Sequence, residues 1–236
     1  MPEARLQWVL LPGLDGTGRL FDPLLRVLPP EYRPIVVSYP TDRFLGYEEL
    51  ALHAQQSLPV DSGYVLVAES FSGPIAAIIA GRLPPALRAV VFVGSFVWSP
   101  LPRMLRWLSP AVLPLVVWPV RSRMVLRTLL VGWDCQSEIL EQVHSVVCSV
   151  PSALLAERLR LVLASRQRWA PDNLDVPVLY LAGGRDRLVW KSGVRTIQVL
   201  KPDAAIVQLD APHLLLQTKP KEALEAIQEF LRSRPL

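Results

Sequence analysis

Three polar residues stand directly after apolar runs, where predicted strands end. Ser70 follows the run VLVAE, Asp186 follows VLYLAGGR, and His213 follows AIVQLDAP. A serine hydroxyl is a poor nucleophile at neutral pH, so it needs an imidazole to take its proton and a carboxylate to orient that imidazole. The chain order Ser, Asp, His therefore predicts a catalytic triad, provided that the fold brings the three residues together.

Strand-like and helix-like segments alternate along the chain. Six short apolar runs predict strands buried on both faces: LQWVLLPG, RPIVVSYP, GYVLVAES, RAVVFVGS, PVLYLAGG and AAIVQLDAP. Helical patterns lie between most of them, as at 47–58 and 74–83, and PKEALEAIQEFL closes the chain. This alternation predicts an α/β fold with a parallel sheet, in which all strand carboxyl ends share one edge. Ser70, Asp186 and His213 would meet at that edge.

Small residues surround Ser70, as a sharp strand-to-helix turn requires. In the G-x-S-x-G elbow the positions two before and two after the nucleophile are small, because strand and helix backbones converge there. Ala68 and Ser72 hold these positions, and Gly73 follows. As an alternative, Ser70 could cap the following helix through its hydroxyl. The placement of Asp186 and His213 favours the nucleophile.

Other residues could supply the acid or the base. The rival acids are Asp172, Asp175, Asp203 and Asp210. The first three precede strands and so fall at the wrong edge, while Asp210 is so near His213 that it would more easily bond its own loop. His53 lies in a helical pattern and His144 in the long interval before the fifth strand, so each is predicted to be a surface or packing residue.

Two backbone N–H groups are expected to bind the oxyanion of an ester-cleaving serine. One belongs to Phe71, directly after Ser70, at the start of a helix. The other is assigned to Leu14 in the glycine-rich loop LLPGLDGTGRLF after the first strand. This loop has neither the lysine of a P-loop nor a G-x-G-x-x-G pattern, which argues against nucleotide binding.

About seventy residues without a convincing strand separate the fourth and fifth strands. They predict a helical cap, residues 97–171, inserted into a core of residues 1–96 and 172–236. Five tryptophans and nine arginines lie in the cap against four acidic residues, and its prolines predict short, bent helices. Trp107 and Trp118 are candidate substrate-binding residues, with Trp98, Trp133 and Trp169 as further aromatic candidates. The arginines could dock a carrier protein or a membrane surface. Alternatively, they only form the solvent-exposed faces of helices that pack on the core.

Composition excludes several classes of function. The net charge of +4 comes with no dense basic run, so no nucleic acid is expected. Cys135 and Cys148 form no metal-ligand spacing with the three histidines, and neither a metal nor an organic cofactor is expected. No apolar run is long enough to span a membrane, and the N-terminus does not resemble a signal peptide. A cytoplasmic location is therefore expected.

Four motifs, LLPGLDGTGRLF, VAESFSG, LAGGRDRLV and DAPHLLLQTKP, together resemble the α/β-hydrolase superfamily. The first two look like the esterase, lipase and acyltransferase branch that includes plastid phytyl ester synthases and, more distantly, bacterial pimeloyl-carrier-protein methyl esterases. The resemblance implies a mostly parallel sheet with a helical cap after the family's sixth strand, where residues 97–171 fall. Two features depart from the family: Pro12 replaces a common histidine, and the elbow lacks both usual glycines.

The expected function is a serine carboxylesterase that acts on hydrophobic esters through an acyl-enzyme, with a small-molecule ester as its substrate. Acyl transfer to an alcohol and thioester hydrolysis use the same residues and stay open. A protein that keeps the fold but only senses a small ligand is the alternative from another class.

Overall fold

The structure is a computed structural model that describes residues 6–100, 121–165 and 174–234. Six strands form one sheet: β1 (Gln7–Leu11), β2 (Ile35–Val36), β3 (Tyr64–Glu69), β4 (Leu87–Val93), β5 (Val178–Gly183) and β6 (Ala205–Leu209). Their order is β2-β1-β3-β4-β5-β6, and every pairing is parallel. Each predicted apolar run supplies one strand, so the predicted α/β architecture is confirmed.

Nine α-helices lie in the described residues: α1 (Asp22–Val27), α2 (Tyr47–Gln55), α3 (Gly73–Gly81), α4 (Arg123–Leu126), α5 (Ser137–Ser149), α6 (Ser152–Ala164), α7 (Trp190–Leu200), α8 (Leu215–Thr218) and α9 (Pro220–Arg232). The predicted helices 47–58 and 74–83 extend too far at their C-termini. In both cases a proline follows, Pro59 or Pro84, and the residue before a proline is disfavoured in helical conformation. The helices therefore end before these positions.

Two apolar layers cover the faces of the sheet. The side chains of β1 alternate between them, since Val9 and Leu11 pack with α2, α3 and α7, whereas Trp8 and Leu10 pack with α1 and α9. All four are fully buried. Burial on both faces explains why β1, β3, β4 and β5 appear in the sequence as continuous apolar runs. The same expectation is wrong for β2 and β6, which lie at the edges of the sheet and are only partly buried.

Of the predicted cap, residues 97–100 and 121–165 are described, and the longer stretch, residues 121–165, lies between β4 and β5 in the chain. It contains α4, a π-helical turn (Arg127–Val131), α5 and α6, and no strand. Helices α5 and α6 have 13 residues each. They are longer than the short, bent helices that the prolines of this segment predicted. Leu126 and Val143 of this part pack with Leu20 and Leu214 of the core.

The predicted cap limits at residues 97 and 171 stay a prediction, because residues 101–120 and 166–173 lie outside the described ranges. Within the residues that the structure describes, no helix is both long enough and apolar enough to cross a membrane.

Candidate active site

Ser70 occupies a strained turn between β3 and α3. Its φ of +48° lies in the left-handed region, which residues with a side chain adopt at a steric cost. A single 3₁₀ turn (Ser70–Ser72) joins the strand to the helix, and the Ser95 hydroxyl donates to the Ser70 carbonyl oxygen at 2.6 Å. The N-cap positions of this turn and of α3 are held by Glu69 and Ser72 rather than by Ser70. The turn instead presents it at the carboxyl edge of the sheet.

His213 bridges Ser70 and Asp186. Its Nε2 lies 2.9 Å from Ser70 Oγ, and its Nδ1 lies 2.8 Å from Asp186 Oδ2. The other oxygen of Asp186 accepts hydrogen bonds from the backbone N–H groups of Leu188 (2.7 Å) and Val189 (3.2 Å). A neutral His213 that donates Nδ1–H to Asp186 leaves Nε2 free to accept the serine proton. The arrangement can therefore activate a hydroxyl nucleophile.

The rival residues lie elsewhere. Asp210 has a side chain that is 86% exposed and pairs with Arg185 at 2.8 Å. His53 Nε2 lies 2.9 Å from the Ser38 carbonyl oxygen, and His144 Nε2 lies 3.6 Å from a cysteine sulfur. Asp175 and Asp203 precede β5 and β6, at the opposite edge of the sheet, and Asp172 lies outside the described residues. Of the weighed candidates that the structure describes, only Ser70, Asp186 and His213 come together.

Charge and burial act against each other in this buried pair. Burial raises the pKa of the Asp186 carboxyl, but the charge and hydrogen bond of His213 and two backbone N–H groups outweigh it, so the pKa is lowered overall. Burial lowers the pKa of His213, but the charge and hydrogen bond of Asp186 raise it more, and the net pKa lies above the ordinary 6.5. The site thus stabilises the imidazolium that proton transfer from serine creates.

Glu69, directly before the nucleophile, is a buried acid that the sequence reading did not single out. It is 1% exposed. Burial raises its pKa to about 7, the nearby Asp15 carboxylate adds to this shift, and Gln217 and His213 oppose it. Glu69 therefore changes charge near neutral pH at a position next to the triad.

The two predicted oxyanion donors line the same cavity as Ser70. Phe71 follows Ser70 in the 3₁₀ turn, and Leu14 lies in the loop after β1. Within the described ranges, the Leu14 N–H donates to no backbone or side-chain acceptor. The two N–H groups are thus carried by segments that adjoin the nucleophile.

Ser72 ties these two segments together. Its hydroxyl donates to the Pro12 carbonyl oxygen and accepts a hydrogen bond from Tyr39 at 2.7 Å. The sequence required only a small residue at position 72, but the serine found there also forms a hydrogen-bond network. A tight backbone contact falls one residue later, where a Cβ on Gly73 would overlap the carbonyl oxygen of Phe96, in the segment after β4.

A cavity of about 240 Å³ opens beside Ser70 and His213. Its cap wall is mostly aliphatic and includes Leu126, Leu129, Leu130, Leu155, Leu159 and Val162. An aliphatic wall suits an apolar ligand group.

The tryptophans do not form this wall where the structure describes them. Trp133 is 60% exposed, and the half-buried Trp98 packs against the core. Trp98 and Trp133 are therefore not among the residues that line this cavity, and the expectation that some of the five tryptophans line it stays a prediction. Trp107, Trp118 and Trp169 lie outside the described residues.

Arg158 of α6 is a buried charged residue that sequence reasoning missed. It is 2% exposed and donates to carbonyl oxygens of the core. A signal was present in the pattern LLAERLRLVL, because Arg158 stands four residues from both Leu154 and Val162, on the apolar side of the helix. An arginine on such a face needs buried hydrogen-bond partners.

No group of three or more His, Cys, Asp or Glu side chains is arranged to hold a metal ion in the described parts of the chain.

The sequence matches no protein-family model and no curated protein sequence. Its fold is nonetheless similar to solved structures. An enol-lactonase from Burkholderia xenovorans LB400 shares 15% identity over 98% of this chain and 94% of its own, with a TM-score of 0.77. A thermophilic esterase from Thermogutta terrifontis shares 19% identity over 97% of this chain and 90% of its own, with a TM-score of 0.75. A hydrolase from Oleispira antarctica shares 14% identity over 97% of this chain and 92% of its own, with a TM-score of 0.74.

The chain therefore has the fold of these solved α/β-hydrolases, as its motifs predicted.

The opposing effects of burial and of Asp186 predict how His213 titrates. Its pKa, followed by NMR of the imidazole, should lie above 6.5, and Asp186→Asn should lower it because burial is then opposed only by the smaller effect of the Glu69 charge. Asp210→Asn, which removes an exposed acid, should leave the titration unchanged. A His213 pKa that does not respond to Asp186→Asn would contradict the account.

Proposed function

We propose that this protein is a serine carboxylic ester hydrolase that acts on hydrophobic esters through an acyl-enzyme. The observation that carries the proposal is the position of His213, within hydrogen-bond distance of both Ser70 Oγ and the Asp186 carboxylate. A nucleophile, a base and a residue that orients the base are the parts that acyl transfer needs. The chain also holds two candidate oxyanion donors beside the nucleophile.

In the proposed first half-reaction, Ser70 Oγ attacks the ester carbonyl carbon while His213 Nε2 takes the hydroxyl proton. The carbonyl oxygen becomes an oxyanion that the N–H groups of Leu14 and Phe71 bind. When the tetrahedral intermediate collapses, the bond to the alcohol oxygen breaks and His213 returns the proton to that oxygen. An alcohol leaves, and the acyl group stays on Ser70.

In the second half-reaction, water takes the place of the alcohol. His213 accepts a proton from water as the water oxygen attacks the acyl carbon. It then gives that proton to Ser70 Oγ as the carboxylic acid departs. Asp186 holds the imidazole in the tautomer that both halves require. Each half therefore begins and ends with a neutral His213.

The cavity supports a preference for apolar acyl or alcohol groups. We assign residues 97–171 to a cap on a hydrolase core of residues 1–96 and 172–236, with the aliphatic face of the cap over the nucleophile. Leu126, Leu155 and Leu159 of the cap line the cavity. Apolar contact with these side chains would stabilise a bound acyl chain by about 0.8 kcal/mol per buried methylene.

Docking of a carrier protein or membrane surface by the basic cap stays a prediction. Arg158 is buried, whereas Arg123 pairs with Glu141 at 2.7 Å and Arg160 with Glu157 at 2.8 Å. These ion pairs neutralise part of the positive charge that the composition of the cap gives it. The described part of the cap therefore presents a weaker basic surface than its arginine count indicated.

Removal of any triad residue should abolish ester hydrolysis without unfolding the protein. Ser70→Ala, Asp186→Ala and His213→Ala should each lower kcat/KM for p-nitrophenyl butyrate by about 10³-fold or more, with losses that do not multiply on combination. Ser70→Ala should also prevent labelling by a fluorophosphonate probe.

Two variants control for these losses. Ser62→Ala and Asp210→Ala remove a serine and an acid outside the cavity and should keep wild-type rates. Absence of labelling in the wild-type protein would favour a ligand sensor, and a larger loss in Asp210→Ala than in Asp186→Ala would refute the assignment of the acid.

The cap should set the preferred acyl length. Leu159→Trp fills part of the cavity, so kcat/KM for octanoyl esters should fall about 10-fold or more relative to acetyl esters. Met124→Trp adds the same bulk at an exposed cap position and should leave the ratio unchanged. An octanoyl-to-acetyl ratio that is the same in Leu159→Trp and wild type would show that the cap does not form the acyl pocket.

A further inference from the structure

Arg158 connects the cap to the loop that carries Leu14. From helix α6 its Nη1 donates to the carbonyl oxygens of Leu14 (2.8 Å) and Asp15 (2.6 Å), and its Nη2 donates to the Pro40 carbonyl oxygen (2.9 Å). The first two carbonyls belong to the loop after β1, and the third belongs to the segment after β2. One guanidinium of the cap therefore holds two core segments.

The core makes room for this guanidinium. Gly16 has a φ of +73°, and a Cβ there would lie 2.5 Å from Arg158 Nη1. A side chain at position 16 would thus be strained by the backbone and would also displace the arginine. The loop and the cap helix fit each other at this point.

The contact is next to the expected oxyanion donor along the backbone. The Leu14 N–H belongs to the peptide between residues 13 and 14, and the Leu14 carbonyl belongs to the following peptide, which Arg158 holds. The Gly13 carbonyl, in the same peptide as the Leu14 N–H, is also held, since the Gly16 N–H donates to it at 3.0 Å. Gly16 thus binds the peptide that carries the N–H, and Arg158 binds the next one, so that together they fix the direction of the Leu14 N–H.

We propose that Arg158 is a positioning residue that aims the Leu14 N–H at the oxyanion, so that the oxyanion hole is complete only when cap helix α6 is docked on the core. This inference rests on the proposed ester hydrolysis. The cap then contributes to the rate of the chemical step as well as to the acyl pocket.

Arginine suits this role better than lysine. Its planar guanidinium offers five N–H donors in a fixed geometry and so can bind three carbonyls at once, whereas an ammonium group is a compact point donor. Replacement by an apolar residue would also leave three carbonyl oxygens without their donor in a buried place. The loop would then lose its single orientation.

Kinetics on p-nitrophenyl acetate test the proposal, because its small acyl group makes little use of the cavity. Arg158→Met should lower kcat about 10²-fold, as removal of one oxyanion donor does, and should change KM little. Arg158→Lys should restore part of the loss. The inhibition constant of a trifluoromethyl ketone, which forms an oxyanion on Ser70, should rise by the factor by which kcat/KM falls.

Arg160→Met is the matched control, because Arg160 lies on the same helix but is exposed and pairs with Glu157. It should keep wild-type kcat and wild-type inhibition by the ketone. Thermal unfolding of each variant separates the effects, since a merely structural role would lower Tm without changing the ketone affinity of the folded protein.

The outcomes decide between the two proposals. Wild-type kcat in Arg158→Met would overturn the role of Arg158 and leave ester hydrolysis standing, and so would a lower kcat with unchanged ketone inhibition. If Arg158→Met does not fold, Arg158→Lys carries the test, and wild-type kcat and ketone inhibition in that variant would overturn the role. If the wild-type protein neither hydrolyses esters nor reacts with a fluorophosphonate, the proposed function fails and the role of Arg158 falls with it.

Discussion

The left-handed backbone of Ser70 is held in place by rigid elements on both sides. Strand β3 lies between β1 and β4 in the sheet, so its end cannot move without breaking two parallel ladders. Helix α3 begins at Gly73, against the Phe96 carbonyl, and Ser95 binds the carbonyl of Ser70 itself. A turn that costs energy persists only where its surroundings determine it this fully. The result is a hydroxyl that points away from the helix and toward His213.

The other site residues are positioned by shorter-range contacts around this turn. The backbone N–H groups after Asp186 fix its carboxylate, and the carboxylate fixes the imidazole. Ser72 and Arg158 hold the loop after β1 from the elbow side and from the cap side. Ser70, Asp186 and His213 thus follow strand ends of the sheet, whereas the loop that carries Leu14 is held both by Ser72 beside the nucleophile and by Arg158 of α6.

The sequence predicted the sheet and the positions of Ser70, Asp186 and His213, because apolar runs mark the strands and a parallel sheet brings the strand ends together. It did not predict Arg158, whose acceptors at Leu14, Asp15 and Pro40 are more than a hundred residues away in the chain. Such contacts are decided by tertiary packing, which local patterns do not encode. Among the described residues 121–165, the side chains that line the cavity are mostly aliphatic and do not include Trp133, while Trp107 and Trp118 stay a prediction.

The covalent intermediate is the most direct test of the account. Rapid quenching of the reaction with p-nitrophenyl butyrate, followed by intact-mass and peptide mass spectrometry, should find one butyryl group on the peptide that contains Ser70. It should find none in Ser70→Ala. Turnover without an acyl adduct under burst conditions, or an adduct on another residue, would contradict the assignment of Ser70 as the nucleophile.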